Sequence, residues 1–176
     1  MKILLLSTSL NPRSRSRVLA RRAQEICGEA GADTSLVDLN ELTLPLAGTD
    51  GSFDHAGALA LADRVREADG VLIATPIYNY DTNAACKNVI ELTGEAWENK
   101  VVGFLCVAGG HGSFMSIMSL ANSLMLDFRC VIVPRFVYAT GPAIRDGAIA
   151  DPEIEKRIGQ LCNELLKLAD AMKDVE

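Results

Sequence analysis

The residues best suited to chemistry fall in three short stretches. Hydroxyls and cations crowd Ser7-Thr8-Ser9-Leu10-Asn11-Pro12-Arg13-Ser14-Arg15-Ser16-Arg17. Rings and amides fill Pro76-Ile77-Tyr78-Asn79-Tyr80-Asp81-Thr82-Asn83, and glycines dominate Ala108-Gly109-Gly110-His111-Gly112-Ser113. The first stretch runs into a helical pattern, so its hydroxyls and the unpaired N–H groups of the helix start aim donors at one small volume. A phosphate monoester, with about two negative charges and three terminal oxygens, suits that donor set. Ser9, Ser14 and Ser16 read as a phosphate cradle, with simple helix capping by Ser14 or Ser16 as the alternative. In the second stretch Pro76 fixes a backbone dihedral, Tyr78 and Tyr80 offer ring faces, and Asn79 both donates and accepts. A planar heteroaromatic ring fits there; packing of Tyr80 on a helix or another subunit is the competing reading. In the third, glycines let backbone amides approach a ligand closely, and His111 reads as an exposed loop residue.

The elements that must position these stretches alternate. Apolar, β-rich runs at Lys2 to Leu6, Thr34 to Leu39, Gly70 to Thr75, Val101 to Val107 and Cys130 to Val133 predict five strands. Helical patterns lie at Ser16 to Ala30, His55 to Ala68, Asn83 to Thr93, Ser113 to Asp127 and Asp151 to Lys173. Alternation of this kind predicts an α/β fold with a parallel sheet covered on both faces. Gly31 and Gly94 mark helix ends, and Asp151-Pro152 supplies a cap followed by proline in the first turn. The aperiodic stretch Thr43 to Asp54 reads as a surface loop. All three chemical stretches follow strands, the edge where such sheets bind ligands.

Composition removes several function classes. With 176 residues, 49% of them hydrophobic, the chain suits one domain spanning 1–176. A formal net charge of −6 argues against a nucleic-acid partner. No apolar run approaches the roughly 20 residues of a membrane span, and Ile3 to Leu6 is too short for a signal-peptide core, so a cytoplasmic protein is expected. Five scattered cysteines without a C-x-x-C pair read as reduced, buried thiols, and two histidines give no metal site. Neither G-x-G-x-x-G after the first strand nor a P-loop occurs. The third strand ends in Ala74-Thr75-Pro76, without the acidic cluster of a phosphoacceptor domain.

Together the three stretches resemble the NADPH-dependent FMN reductases, a flavodoxin-like family that includes quinone, azo-dye and chromate reductases. The family's first loop, G-S-x-R-x-x-S-x-[NT]-R-x-L, aligns with Thr8 to Leu19. Its second motif, P-x-Y-N followed by K-N-x-[IL]-[DE], is matched by Pro76, Tyr78, Asn79, Lys87, Asn88, Ile90 and Glu91. The resemblance implies a flavodoxin-like three-layer sandwich with a five-stranded sheet in the order 2-1-3-4-5. It implies FMN, with Ser9, Ser14, Arg15 and Ser16 on its phosphate, Pro76, Ile77, Tyr78 and Asn79 along the isoalloxazine, and Gly109, Gly110, His111 and Gly112 at the pyrimidine edge. Hydride would pass from NADPH or NADH to flavin N5, then to a small-molecule acceptor, in a ping-pong cycle; no protein acid, base or nucleophile is required. A homodimer or homotetramer is implied, with the helix of Lys87 and Glu91 at an interface or bearing only an ordinary ion pair. Two departures stand out: Thr8 replaces a glycine and Asn11 an arginine, so Arg13, Arg15 or Arg17 would have to supply the missing charge. Tyr80-Asp81-Thr82-Asn83-Ala84 also replaces G-S-x-P-G. The alternative of another class is a flavodoxin-type electron carrier that does not react with NAD(P)H.

Overall fold

The computed structural model describes residues 1–174. Nine strand segments and five α-helices follow one another: β1 (Lys2–Ser7), α1 (Arg15–Glu29), β2 (Asp33–Asp38), α2 (Ala56–Glu67), β3 (Gly70–Tyr78), β4 (Asp81–Thr82), α3 (Ala84–Thr93), β5 (Val101–Ala108), α4 (Met118–Phe128), β6 (Val131–Ile132), β7 (Val137–Thr140), β8 (Ile144–Arg145), β9 (Ala148–Ile149) and α5 (Pro152–Ala171). The sheet runs β2-β1-β3-β5-β6, with all these neighbours parallel and β7 parallel to β5 further along. Counting β6 and β7 as one interrupted strand, this is the expected 2-1-3-4-5 order.

The side chains explain the layers. β3 buries all but its last residue and β5 buries every residue, as strands covered on two faces must. β2, at the edge, keeps only Val37 fully inside. Leu4, Leu6, Ile73 and Phe104 pack with Leu61, Val89 and Leu124 of α2, α3 and α4. Ile3, Leu5, Leu72 and Leu105 pack on the other face with Leu19, Ile158, Leu161 and Leu165 of α1 and α5. Gly103 lets α5 sit down on the sheet: a Cβ there would lie 2.8 Å from Leu72 and 2.9 Å from Leu161.

The elements differ from the sequence reading in several places, the first being that β3 runs past the expected end at Thr75 to Tyr78 and pairs with β4 inside the stretch read as a loop. The fifth strand is not Cys130 to Val133 alone. Pro134 has no N–H to donate, and the seven residues from Val131 to Val137 face the five from Val101 to Leu105, so the chain bulges before β7 rejoins β5. α4 starts at Met118, not Ser113, because His111–Ser113 forms a short 3₁₀ turn. Phe114 then packs on Phe136 and Tyr138, with centroids 5.1 and 5.4 Å away, which holds this segment in turns. The antiparallel β8–β9 hairpin has no counterpart in the sequence reading. Asp151 caps α5 as expected, accepting from Glu153 N at 2.9 Å, with Pro152 in the first turn.

Candidate functional site

α1 begins with Ser14 as its N-cap, whose Oγ accepts from the Arg17 amide at 3.3 Å. Ser14 Oγ and Ser16 Oγ lie 2.9 Å apart, so one proton is shared between them and a second is left to donate outward. Ser9 is buried, and its Oγ accepts from Asn11 N at 3.3 Å, which leaves its proton for an acceptor across the cleft. The first turn carries no carboxylate but does carry Arg15 and Arg17, and cations at the positive end of a helix are unfavourable unless an anion sits beside them. Arg17 does not offer its charge to the cleft. It is buried against Asp38, with Nη2 at 3.1 Å and Nε facing the same carboxylate without the alignment of a hydrogen bond, while Nη1 holds Pro12 O at 2.9 Å. Of the three arginines expected to replace the missing charge, only Arg13 and Arg15 therefore line the cleft. Arg17 clamps the loop from beneath.

The ring end is built differently. β3 runs past Thr75 to Tyr78 and turns directly into β4, pairing Tyr78 with Asp81. The two turn residues have left-handed backbones, Asn79 at φ +50° and Tyr80 at φ +63°, the pattern of a type I′ hairpin. Asparagine tolerates this; a tyrosine there is strained. Pro76 sits where β1 has already ended opposite Ala74, so its missing N–H deprives no neighbour. Tyr80 is exposed, and its hydroxyl would lie 3.3 Å from a Cβ at Gly112, so the ring leans on the glycine loop.

Of three supports under this end, two were not visible as motifs. Asn83 caps α3 without a side-chain cap bond. Its side chain turns inward instead: Oδ1 accepts from Thr8 Oγ1 at 2.8 Å and Thr75 Oγ1 at 3.0 Å, and Nδ2 donates to Thr8 O at 2.7 Å. Thr8 and Asn83 are two of the departures from the family pattern, and they bind each other. Beside them, burial pushes the Cys86 thiol up to about 12. Tyr138, on β7, donates to Gly110 O and lies 2.7 Å from Ser113 Oγ, which pins the glycine loop at both ends. Asn88 of the K-N motif fixes the loop after β2, donating to Pro45 O at 2.9 Å and accepting from Ala47 N at 2.8 Å. The Lys87–Glu91 pair forms at 2.9 Å on an exposed face.

These elements enclose a cleft of about 980 Å³, within the range of cofactor sites. Ser9, Ser14, Arg15 and Ser16 line one end; Pro76, Ile77, Tyr78, Asn79 and Gly109 line the other. Gly110 and Gly112 border an adjoining hollow of about 330 Å³, and His111 is exposed at the rim. The arrangement fits FMN on its own chemistry. An anion answers the uncompensated helix start, a flat ring answers the space between Pro76–Asn79 and Gly109, and the Gly109 and Gly110 positions keep that space open. Among the described residues no cluster of three metal-ligating side chains occurs, and no helix is long and apolar enough to cross a membrane. All five cysteines are free and buried.

Residues 1–143 match the model of the NADPH-dependent FMN reductase family. An NAD(P)H-dependent FAD/FMN reductase of Geobacillus thermodenitrificans is 28% identical over 154 residues, covering 86% of this chain and 82% of that protein. An NADPH azoreductase of a Bacillus strain is 26% identical, covering 100% and 97%. Among solved structures, the NAD(P)H:acceptor oxidoreductase FerB of Paracoccus denitrificans superposes with a TM-score of 0.79 at 21% identity, covering 97% and 98%. An archaeal flavodoxin superposes at 0.69 with 9% identity, which is a likeness of fold.

Proposed function

The chain belongs to the NADPH-dependent FMN reductase family, and from that premise we propose that the whole chain is one FMN-binding domain that passes reducing equivalents from NAD(P)H to a small-molecule acceptor. The observation that carries this reading is the convergence of an anion-ready helix start and a ring-shaped slot on one cleft of about 980 Å³. FMN, when bound, supplies the hydride-accepting and electron-donating chemistry. The protein's part is to bind, orient and shield. The Ser9, Ser14 and Ser16 hydroxyls, the α1 amides and Arg15 hold the phosphate. Pro76, Ile77, Tyr78 and Asn79 lie along the ring and keep water from one side of it. The backbone amides at Gly109, Gly110, His111 and Gly112 face its pyrimidine edge and favour negative charge there. No side chain is needed as acid, base or nucleophile.

The acceptor class, a quinone, azo compound, free flavin or metal oxyanion, follows the family resemblance, and the names of the relatives above carry the flavin and the azo compound. A second copy of the chain covering exposed apolar side chains such as Leu46, Phe53 and Tyr80 is part of this proposal, in a dimer or tetramer. Five free thiols support a cytoplasmic setting. The test is to load the purified protein with FMN, remove free flavin and add NADPH without oxygen. Retained flavin whose visible absorbance bleaches faster than free FMN is the expected result. Retained flavin that stays yellow makes the protein an electron carrier, and saturable binding that never appears overturns the cofactor assignment.

A further inference from the structure

A second groove, of about 1340 Å³, runs along α1 from the cradle to the β8–β9 hairpin. It meets the cofactor cleft at Arg13, Ser14 and Arg15, which line both. Six arginines line it against three carboxylates, a concentration of cations in a chain whose net charge is −6. The charges are not all spent. Arg22 holds Glu155 at 2.6 Å and Glu25 at 2.9 Å, and Arg17 is committed to Asp38. Arg13, Arg15, Arg21 and Arg145 form no ion pair among the described residues, and only the Asp146 carboxylate remains near them. Arg15 lies close against the backbone at Gly141, where a Cβ would stand 2.8 Å from its Nη1. Arg145 is steadied by Pro142 O at 3.2 Å. Between these cations lie Val18, Ile144 and Ile149, an apolar strip that an inorganic anion would not require but a flat base would. Part of this groove, from Ile144 onward, lies beyond the stretch that matches the family.

We propose that this groove takes the phosphoadenosine end of a dinucleotide whose other end lies in the cofactor cleft. The inference rests on reading that cleft as a flavin site. Two dinucleotides carry the chemistry. In flavin adenine dinucleotide, the phosphate placed at Ser14 and Ser16 continues into an adenylate, which enters the groove where it meets the cleft. In NADPH, the adenosine 2′-phosphate meets the same arginines.

The test is the double variant Arg21→Ala/Arg145→Ala, both exposed side chains outside the FMN cradle. Its affinities for FMN and FAD are read by flavin fluorescence, and those for NADP⁺ and NAD⁺ by titration into FMN-loaded protein. A loss of about tenfold or more for FAD, with FMN within about twofold, supports the groove and names the flavin dinucleotide as its ligand. The same loss for NADP⁺ but not NAD⁺ supports it and names the pyridine nucleotide. Arg21→Lys/Arg145→Lys retains most of the affinity in either case. Equal weakening of every ligand, or no change in any, overturns the proposal. Wild-type protein that binds neither flavin overturns the reading of the cleft instead, a result visible before any variant is made.

Discussion

The two ends of the cleft are held by opposite means. At the phosphate end the donors are neighbours in sequence: Ser14 and Ser16 sit two residues apart, and one helix start supplies the rest. At the ring end the supports join positions far apart in the chain, Asn83 to Thr8 across 75 positions and Tyr138 to Gly110 across 28. The phosphate end is built from local turns, whereas the ring end rests on long-range hydrogen bonds, of which the Thr8–Asn83 set is buried and its loss leaves polar groups without water. Changes at the first should therefore cost binding with little stability, and changes at the second should cost both.

The largest effect is expected at Asn83. Asn83→Leu keeps the volume but removes the donor to the Thr8 carbonyl and leaves the Thr8 and Thr75 hydroxyls with only their 3.3 Å acceptors, Ala74 O and Pro76 O, in a dry interior, and should lower stability by about 3 kcal/mol. For a chain of this size that is a fall in Tm of about 6 to 12 °C, read by calorimetry and urea unfolding. A loss below about 1 kcal/mol would show that the pair does not hold this end. Thr8→Gly/Asn83→Pro, which removes both departures from the family pattern together, should cost less than the sum of its single changes.

The same contrast governs what the sequence could disclose. The alternation of strands and helices and the three loops followed from apolar periodicity and punctuation, since each is a local pattern repeated over many residues; the strand order came only with the family resemblance. The grouping of Ser9, Ser14 and Ser16 was legible because they lie within eight residues of chain, with Arg15 added by the resemblance, and all four line one cleft. Arg17 was not: its type and place suit an anion site, and only the fold reveals that Asp38, on the neighbouring edge strand, neutralises it. The late start of α4 follows from Phe114 packing on Phe136 and Tyr138, residues more than twenty positions along the chain. Such contacts leave no periodic trace. Asn83 opens the helical pattern read from the sequence, yet its side chain makes no capping hydrogen bond and turns inward instead.

A sharper test uses riboflavin, which has the ring but no phosphate. Ser14→Ala/Ser16→Ala removes two hydroxyls from the cradle and the cap bond to Arg17 N. FMN affinity should fall by about 30-fold, roughly 2 kcal/mol, while riboflavin affinity stays within about twofold. Unfolding free energy should drop by only about 1 kcal/mol, the usual cost of a lost cap. Equal losses for the two ligands would move the phosphate away from this helix start.

The smallest expected effect falls on Tyr138, and its pattern matters more than its size. Tyr138→Phe keeps the ring that packs on Phe114 and removes only the hydroxyl bound to Gly110 O and Ser113 Oγ. Both orphaned groups lie at the rim of the cleft and are only partly buried, so water can replace the lost partner, and the stability cost should be about 1 kcal/mol. The glycine loop, however, loses the tie that fixes its amides before a ligand arrives. Ordering it must then be paid at binding, and FMN and riboflavin should weaken by one common factor of about three to five. A merely structural role would lower stability and leave both affinities unchanged. A loss confined to FMN would place Tyr138 with the phosphate end and break the division between the two ends.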